Sequence, residues 1–477
     1  MEKIDIKRVF IEPELLKLIS GAQAYRMEAL PVSRKGDLVT FAVADIEDLS
    51  LIDELEDICD MEVYALPVTD VEDLKDSIRR YYPKSSGDSG GDNSGRLLHE
   101  IINMSLQMRA SDIHIDPKEF DGKVCMRIDG KLREVKKIDK ETVAELVSVI
   151  KVESFLNIAE KRIPQDGVLK IDIYGETISL RVATIPTIYG EHVTMRLMNN
   201  ANAADLAALE SLGFSDENFK LFQENLMLPN GIIIISGPTG SGKTTTLYAA
   251  LRFLRESGEK HLVSLEDPVE MPVEDVTQVK IDSDGERVTF NAALRSVLRH
   301  DPDVILLGEI RDGETADIAV KAAMTGHLVL STVHTNTAIG VFSRLLNLGV
   351  PRFLLISTLR LAVAQRLVRR PCKYCVDWRD STKEESDFFG WDGIMKVPDP
   401  QGCSLCGDTG YAGRLAIYEM VEADTDMRNK LESGAGEEEL SSFIHGEKGV
   451  SDMKMDGAHK ILCGQTTIKE VKSVVSV

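Results

Sequence analysis

The chain has 477 residues, 43% hydrophobic and 28% charged, with a formal net charge of −22. That length accommodates about two to four cores, the balance excludes a disordered or fibrous chain, and the acidity argues against a general nucleic-acid binder, whose footprint is basic. No apolar run approaches the roughly 18 residues that span a bilayer. The opening MEKIDIKRVFIEPELL is broken by charge throughout, so it does not read as a secretory signal, and the cytoplasm is the expected compartment.

Residues 1–84 read as a small module, with strands at 38–43 and 63–66 and helices at 13–19 and 70–80. Between Asp45 and Asp76 lie thirteen acidic residues and a single basic one, Lys75. The run is either a solvated acidic face or a docking surface for a basic partner. Residues 85–95, SSGDSGGDNSG, read as a flexible linker. An α+β domain is expected over 96–204: a helix at 97–108, strands at 124–128 and 131–135 joined by an Asp129-Gly130 hairpin turn, and strands at 178–184 and 191–197.

Residues 205–365 carry the clearest chemistry. The apolar run 231–236, GIIIIS, reads as a buried parallel strand. GPTGSGKTT follows, and then a helical pattern to 254. This is G-x-x-x-x-G-K-[ST] in its required strand–loop–helix setting. Its glycines let backbone N–H groups turn inward around phosphates at a helix N-terminus. The nucleotide-binding residues are therefore Gly237, Pro238, Thr239, Gly240, Ser241, Gly242, Lys243, Thr244 and Thr245. Lys243 is expected to reach the β- and γ-phosphates of ATP, and Thr244 to hold Mg²⁺. Further strands at 261–265, 304–307 and 328–333 alternate with helical patterns, which makes a parallel α/β sheet of RecA-like type.

Acids follow two of these strands. Glu309, after Val304-Ile-Leu-Leu307, is placed to hold the Mg²⁺ hydration shell. Glu266, in EDPVE, is placed to orient and deprotonate the attacking water. His327 and His334 flank the strand 328–333; His334 is placed to sense the γ-phosphate, and His327, at the other end, to serve structure or an interface. Residues 366–420 hold Cys372, Cys375, Cys403 and Cys406 in a C-x₂-C-x₂₇-C-x₂-C array, the spacing of a closed, structural Zn²⁺ site, with a redox pair as the rival. Cys59, Cys125 and Cys463 have no partner by spacing and are expected to be buried thiols. The tail, 421–477, reads as helical and acidic.

The chain resembles the secretion ATPases of type II secretion and type IV pilus assembly, the GspE/PilB group. The resemblance rests on EDPVE (266–270), LRSVLRHDPDVILLGEIRD (294–312), ETADIAVKAAMTGHLVLSTVHTN (314–336), RLLNLGV (344–350) and AQRLVRRPCKYC (364–375). Upstream, RASDIHIDP (109–117), RIDGKL (127–132), RIPQDG (162–167) and LRVATIPTIYGEHVTMRL (180–197) continue it in the family's order. It implies a homohexameric ring and an α+β (PAS-like) domain preceding the RecA-like core. It implies Glu266 as catalytic base, Glu309 as Walker B acid and a histidine box at His327 and His334. It also brings Arg181 and Arg196 to the nucleotide site, where guanidinium forks neutralise charge on the transferred phosphoryl group. Residues 1–84 resemble the family's N-terminal docking domain, through ADIEDLSLIDEL (44–55) and IRRYYP (78–83), which implies an inner-membrane docking or platform partner and a peripheral place on that membrane. Retraction ATPases generally lack the cysteine knuckles, so assembly or secretion is favoured over retraction. The rivals are a nucleic-acid translocase on the same ring and a non-catalytic ATP-sensing scaffold. The acidity opposes the first, and no nucleic-acid partner is expected; intact Lys243, Glu266 and Glu309 oppose the second.

Overall fold

The computed structural model describes all residues except 1–3, 5, 7, 8, 10, 12–14, 37, 45–48, 60, 83–92, 174, 175, 199–206, 259, 282–288, 476 and 477. Its contacts divide it into two compact units. One holds Met1–Asn200, Pro371–Asp377 and Pro400–Gly413, and the other Ala201–Arg370, Trp378–Asp399 and Arg414–Val477.

In the first unit, strands β1 (Ala29–Lys35), β2 (Leu38–Val43) and β3 (Glu62–Pro67) form a small sheet, antiparallel at the first pair and parallel at the second. Phe41, Leu55, Leu74 and Ile78 fill its core. The helix Val71–Tyr81 starts where Asp70 accepts from the Glu72 amide. Of the helix expected at 13–19, residues 13 and 14 lie outside the described residues, and the described part forms only the short 3₁₀ turn Leu15–Lys17. Asp53, Glu54, Asp57, Glu62, Asp70, Glu72 and Asp76 are exposed. The expected linker at 85–95 lies outside the described residues up to 92, and its last three residues open the helix Asn93–Gln107.

A six-stranded antiparallel sheet follows, built from β4 (Ala110–Pro117), β5 (Asp121–Ile128), β6 (Lys131–Asp139), β7 (Gln165–Ile173), β8 (Glu176–Thr187) and β9 (Gly190–Met198). Its order is β6-β5-β4-β9-β8-β7. In β4 the period-2 alternation puts Ile113 and Ile115 into the core. Asp112, His114 and Asp116 take the opposite face. The β5–β6 turn has positive φ at both Asp129 (46°) and Gly130 (82°), the type I′ geometry that the Asp-Gly pair favours.

In the second unit, β10 (Gly231–Ser236), β11 (Leu262–Glu266), β12 (Val276–Lys280), β13 (Val304–Leu307), β14 (Leu328–Val333) and β15 (Leu359–Pro371) enter a seven-stranded sheet. The order is β12-β11-β13-β14-β10-β15-β18, with β18 at Tyr411–Glu422. Every residue of β10, β13 and β14 is buried, as expected for central parallel strands covered on both faces. Ile232 and Ile234 join one apolar cluster, and Ile233 and Ile235 the other. A two-stranded ribbon, β16 (Val376–Asp380) with β17 (Lys396–Pro400), precedes β18. The tail is helical, with Thr425–Glu432, Glu437–Ser441, Met453–Leu462 and Ile468–Val475. Among the described residues no helix is long and apolar enough to cross a membrane.

Candidate functional site

The loop after β10 is held in place by its backbone and by its neighbour strand. Gly237 has φ 149°, and a Cβ there would lie 2.5 Å from Ser241 Oγ and 2.6 Å from the Gln365 carbonyl. Gly242, at φ 89°, is the left-handed residue from which the helix Lys243–Glu256 starts. Gln365, on β15, clamps the loop from behind. Its amide donates to Ser241 O at 2.8 Å and accepts from Thr246 Oγ1 at 2.9 Å. Arg366, next along β15, is buried, and it donates to Asn336 O (3.2 Å) and Oδ1 (3.0 Å). Sequence reasoning singled out none of these three. Their motif box was visible, but a glutamine and an asparagine carry no catalytic signature of their own.

Lys243 Nζ donates to Gly237 O at 2.7 Å and Pro238 O at 3.1 Å, so the side chain folds back over the loop. Burial pushes its pKa down, Glu309 opposes that shift, and Arg366 adds to it. Glu309 follows β13 at the same sheet edge. It accepts from Arg311 Nε at 2.6 Å, and His334 Nε2 lies 3.4 Å from its other oxygen. Thr244 is half-buried and Thr245 exposed at the start of the helix.

Glu266 ends β11, next to β13 in the sheet. It is buried and accepts from Ser264 Oγ (2.6 Å), Tyr248 Oη (2.5 Å) and Gln278 Nε2 (3.1 Å). Three donors fill three of about four lone-pair sites on a carboxylate. Burial, then the hydrogen bond to Glu266, push the Tyr248 phenol up, so it stays a donor.

Glu309 and His334 thus meet, Lys243 lies within reach of the Glu309 charge, and Glu266 is on the adjacent strand end. His327, expected with them, does not join this group. It precedes β14 at the opposite end from His334, and Nδ1 sits 2.9 Å from Ala322 O, closing the end of the helix Gly313–Met324. A seven-residue step along an extended strand covers about 23 Å. Arg181 and Arg196 belong to the first unit, are exposed, and face each other in register across β8 and β9.

The four knuckle cysteines cluster in the first unit, with their sulfurs all within 4.8 Å of one another. Cys372–Cys403 is 4.0 Å, Cys375–Cys406 3.8 Å and Cys403–Cys406 3.8 Å. Zn–S bonds of about 2.3 Å at a tetrahedral centre separate sulfurs by about 3.8 Å, so the donor set fits zinc. Backbone amides of Cys403 (3.3 Å) and Gly410 (3.2 Å) point at Cys406 Sγ. Of the remaining cysteines, Cys59 is buried and Cys125 partly so, but Cys463 is exposed, contrary to expectation. It caps the helix Met453–Leu462, next to the exposed Leu462.

Two family descriptions match the chain: "Type II/IV secretion system protein" over residues 90–473 and "MshEN domain" over residues 1–88. The type II secretion system protein E of Pectobacterium carotovorum is 43% identical over 79% of this chain and 74% of its own length. The type IV pilus assembly ATPase PilB of Myxococcus xanthus is 36% identical over 98% of this chain and 88% of its own. Among solved structures, the Legionella pneumophila ATPase DotB superposes with a TM-score of 0.60 at 20% identity, covering 82% of this chain and 98% of that one, a likeness of fold. With a family match across most of its length and such relatives over the same span, the chain belongs to the type II/IV secretion system proteins.

Proposed function

We propose that the chain is a secretion-machine motor, an ATPase that powers type II protein secretion or type IV pilus assembly. The observation that carries this reading is the Glu309–His334 contact beside a P-loop whose Lys243 feels the Glu309 charge, with Glu266 on the adjacent strand end. Backbone N–H groups at the start of the helix Lys243–Glu256 bind the phosphates, and Lys243 turns from the loop carbonyls to the β- and γ-phosphate oxygens. Thr244 and Glu309 would hold Mg²⁺, which supplies charge neutralisation across the β- and γ-phosphates when bound. Glu266 takes a proton from water as the water oxygen bonds to the γ-phosphorus. The bond from that phosphorus to the bridging oxygen breaks, and ADP leaves. His334 reports the γ-phosphate through Glu309, and His327 is a structural cap.

Further parts of the reading are proposals of the same kind. Arg181 and Arg196, on an α+β domain of PAS-like type over 96–204, neutralise phosphoryl charge in a homohexameric ring built on a RecA-like core at 205–365. Residues 1–84, on which Asp53, Glu54, Asp57, Glu62, Asp70, Glu72 and Asp76 are exposed, dock at a membrane-associated partner on the cytoplasmic side, and residues 85–95 tether them. The helical tail at 421–477 follows a cysteine region at 366–420, where Cys372, Cys375, Cys403 and Cys406 would hold a structural Zn²⁺ that ties the two knuckles together.

The function is tested by steady-state ADP release with and without single-stranded DNA. We expect turnover that DNA leaves unchanged; stimulation of several-fold assigns the ring to nucleic acid instead. For the metal, the purified chain is expected to carry one zinc. Removing it with a strong chelator lowers Tm by more than about 5 °C. Metal analysis and thermal melting check this, and a zinc-free chain whose melting ignores the chelator contradicts it.

A further inference from the structure

Four residues form one row across adjacent strands: Arg127 on β5, Asp112 on β4, Arg196 on β9 and Arg181 on β8. Three are exposed or half-exposed cations. The fourth is a carboxylate with only 6% of its side chain accessible. Arg196 Nε donates to Asp112 Oδ1 at 2.7 Å, while the arginine side chain stays 68% exposed. Ser111 Oγ donates to the other oxygen at 2.8 Å, and Arg127 Nε lies 3.7 Å from it. Arg127 is separately tied by a bond from its terminal nitrogen to Gly130 O at 3.0 Å.

A long arginine on an open sheet face ordinarily samples many rotamers, and fixing it costs entropy. Here the inner nitrogen of Arg196 is engaged by a buried charge, while most of the side chain stays open to solvent. Charge-assisted bonds of this kind are about twice as strong as neutral ones. The carboxylate is also kept charged: burial works against it, but the bonds from Arg196 and Ser111 hold its pKa below the usual range. One anion under three guanidiniums leaves the row with surplus positive charge, suited to an incoming phosphate.

We infer that Asp112 is a positioning residue that sets the pose of Arg196, with its outer fork ready for the phosphoryl group, so that the arginine is ordered before nucleotide arrives. The inference rests on the placement of Arg196 in the nucleotide site proposed above. Its consequence is for turnover rather than for ground-state binding, because preordering acts where charge develops.

The test is ADP release by the full-length chain across ATP concentrations, for Asp112→Ala, Asp112→Asn, Arg196→Ala and Asp112→Ala/Arg196→Ala, each checked for folding by thermal melting. Arg196→Ala is expected to lower kcat about 100-fold or more. Asp112→Ala is expected to lower it about tenfold with KM within about twofold, and Asp112→Asn, which keeps an acceptor for Nε, falls between it and the parent. In the Arg196→Ala background the Asp112→Ala change costs nothing further. A merely structural aspartate gives losses that multiply, and that outcome overturns the proposal, as does full activity in Asp112→Ala. If Asp112→Ala does not fold, Asp112→Asn decides by the same comparison. A neutral Arg196→Ala overturns the nucleotide reading itself, and this proposal with it. A damaging Arg196→Ala beside a harmless Asp112→Ala overturns this proposal alone.

Discussion

Lys243→Ala is expected to lower ATP turnover by about 10³-fold or more while leaving the fold intact. The side chain is not part of an apolar core; it donates to two carbonyls of its own loop, at 2.7 and 3.1 Å. Loop shape is set independently, by the glycines at 237 and 242 and by the Gln365 clamp on Ser241 and Thr246. Losing the ammonium therefore removes a mobile charge from a preformed cradle. Melting temperature should move by less than about 2 °C, and fluorescent-nucleotide binding should weaken together with turnover. A variant that keeps more than a tenth of the parent rate contradicts the assignment of this loop as the phosphate site.

Glu266→Gln should separate binding from chemistry. The amide keeps the shape: with its oxygen at the Oε1 place it still accepts from Ser264 and Gln278, and its NH₂ group then faces the Tyr248 hydroxyl oxygen as a donor, but the amide takes no proton from water. We expect kcat to fall by about 10²–10⁴ and nucleotide affinity to stay within about threefold. The comparison is steady-state turnover beside equilibrium nucleotide binding. A loss under tenfold would mean that the carboxylate serves as an anchor for the helix Lys243–Glu256 through Tyr248, and that another group activates the water.

Much of this site is legible in residue order because its chemistry is local. A buried run, a glycine turn and a lysine within the thirteen residues 231–243 define the cradle, and the strands Val304–Leu307 and Leu328–Val333 sit where their apolar runs put them. The Asp129-Gly130 hairpin is likewise a short-range device. What sequence reasoning missed depends on distant partners. Gln365 matters because it meets Ser241 and Thr246, more than a hundred residues earlier in the chain. Its strand, Leu359–Pro371, was not recognised because glutamine and arginines interrupt the apolar pattern, although the sheet buries most of it. Asp112 lies in β4, which is absent from the strands expected from the sequence, and its engagement of Arg196 comes from the β4–β9 register. His327 and His334 share one histidine box of the family, yet their places on either side of an apolar strand already set them apart in the sequence. They part because a strand carries its two ends to opposite edges of the sheet.

The most direct test of the motor as a whole is ATP turnover per chain measured against protein concentration. A nucleotide site completed by neighbouring copies predicts turnover per chain that rises steeply with concentration and levels off once rings have formed. Turnover that is already maximal in dilute monomer, and flat thereafter, would contradict it.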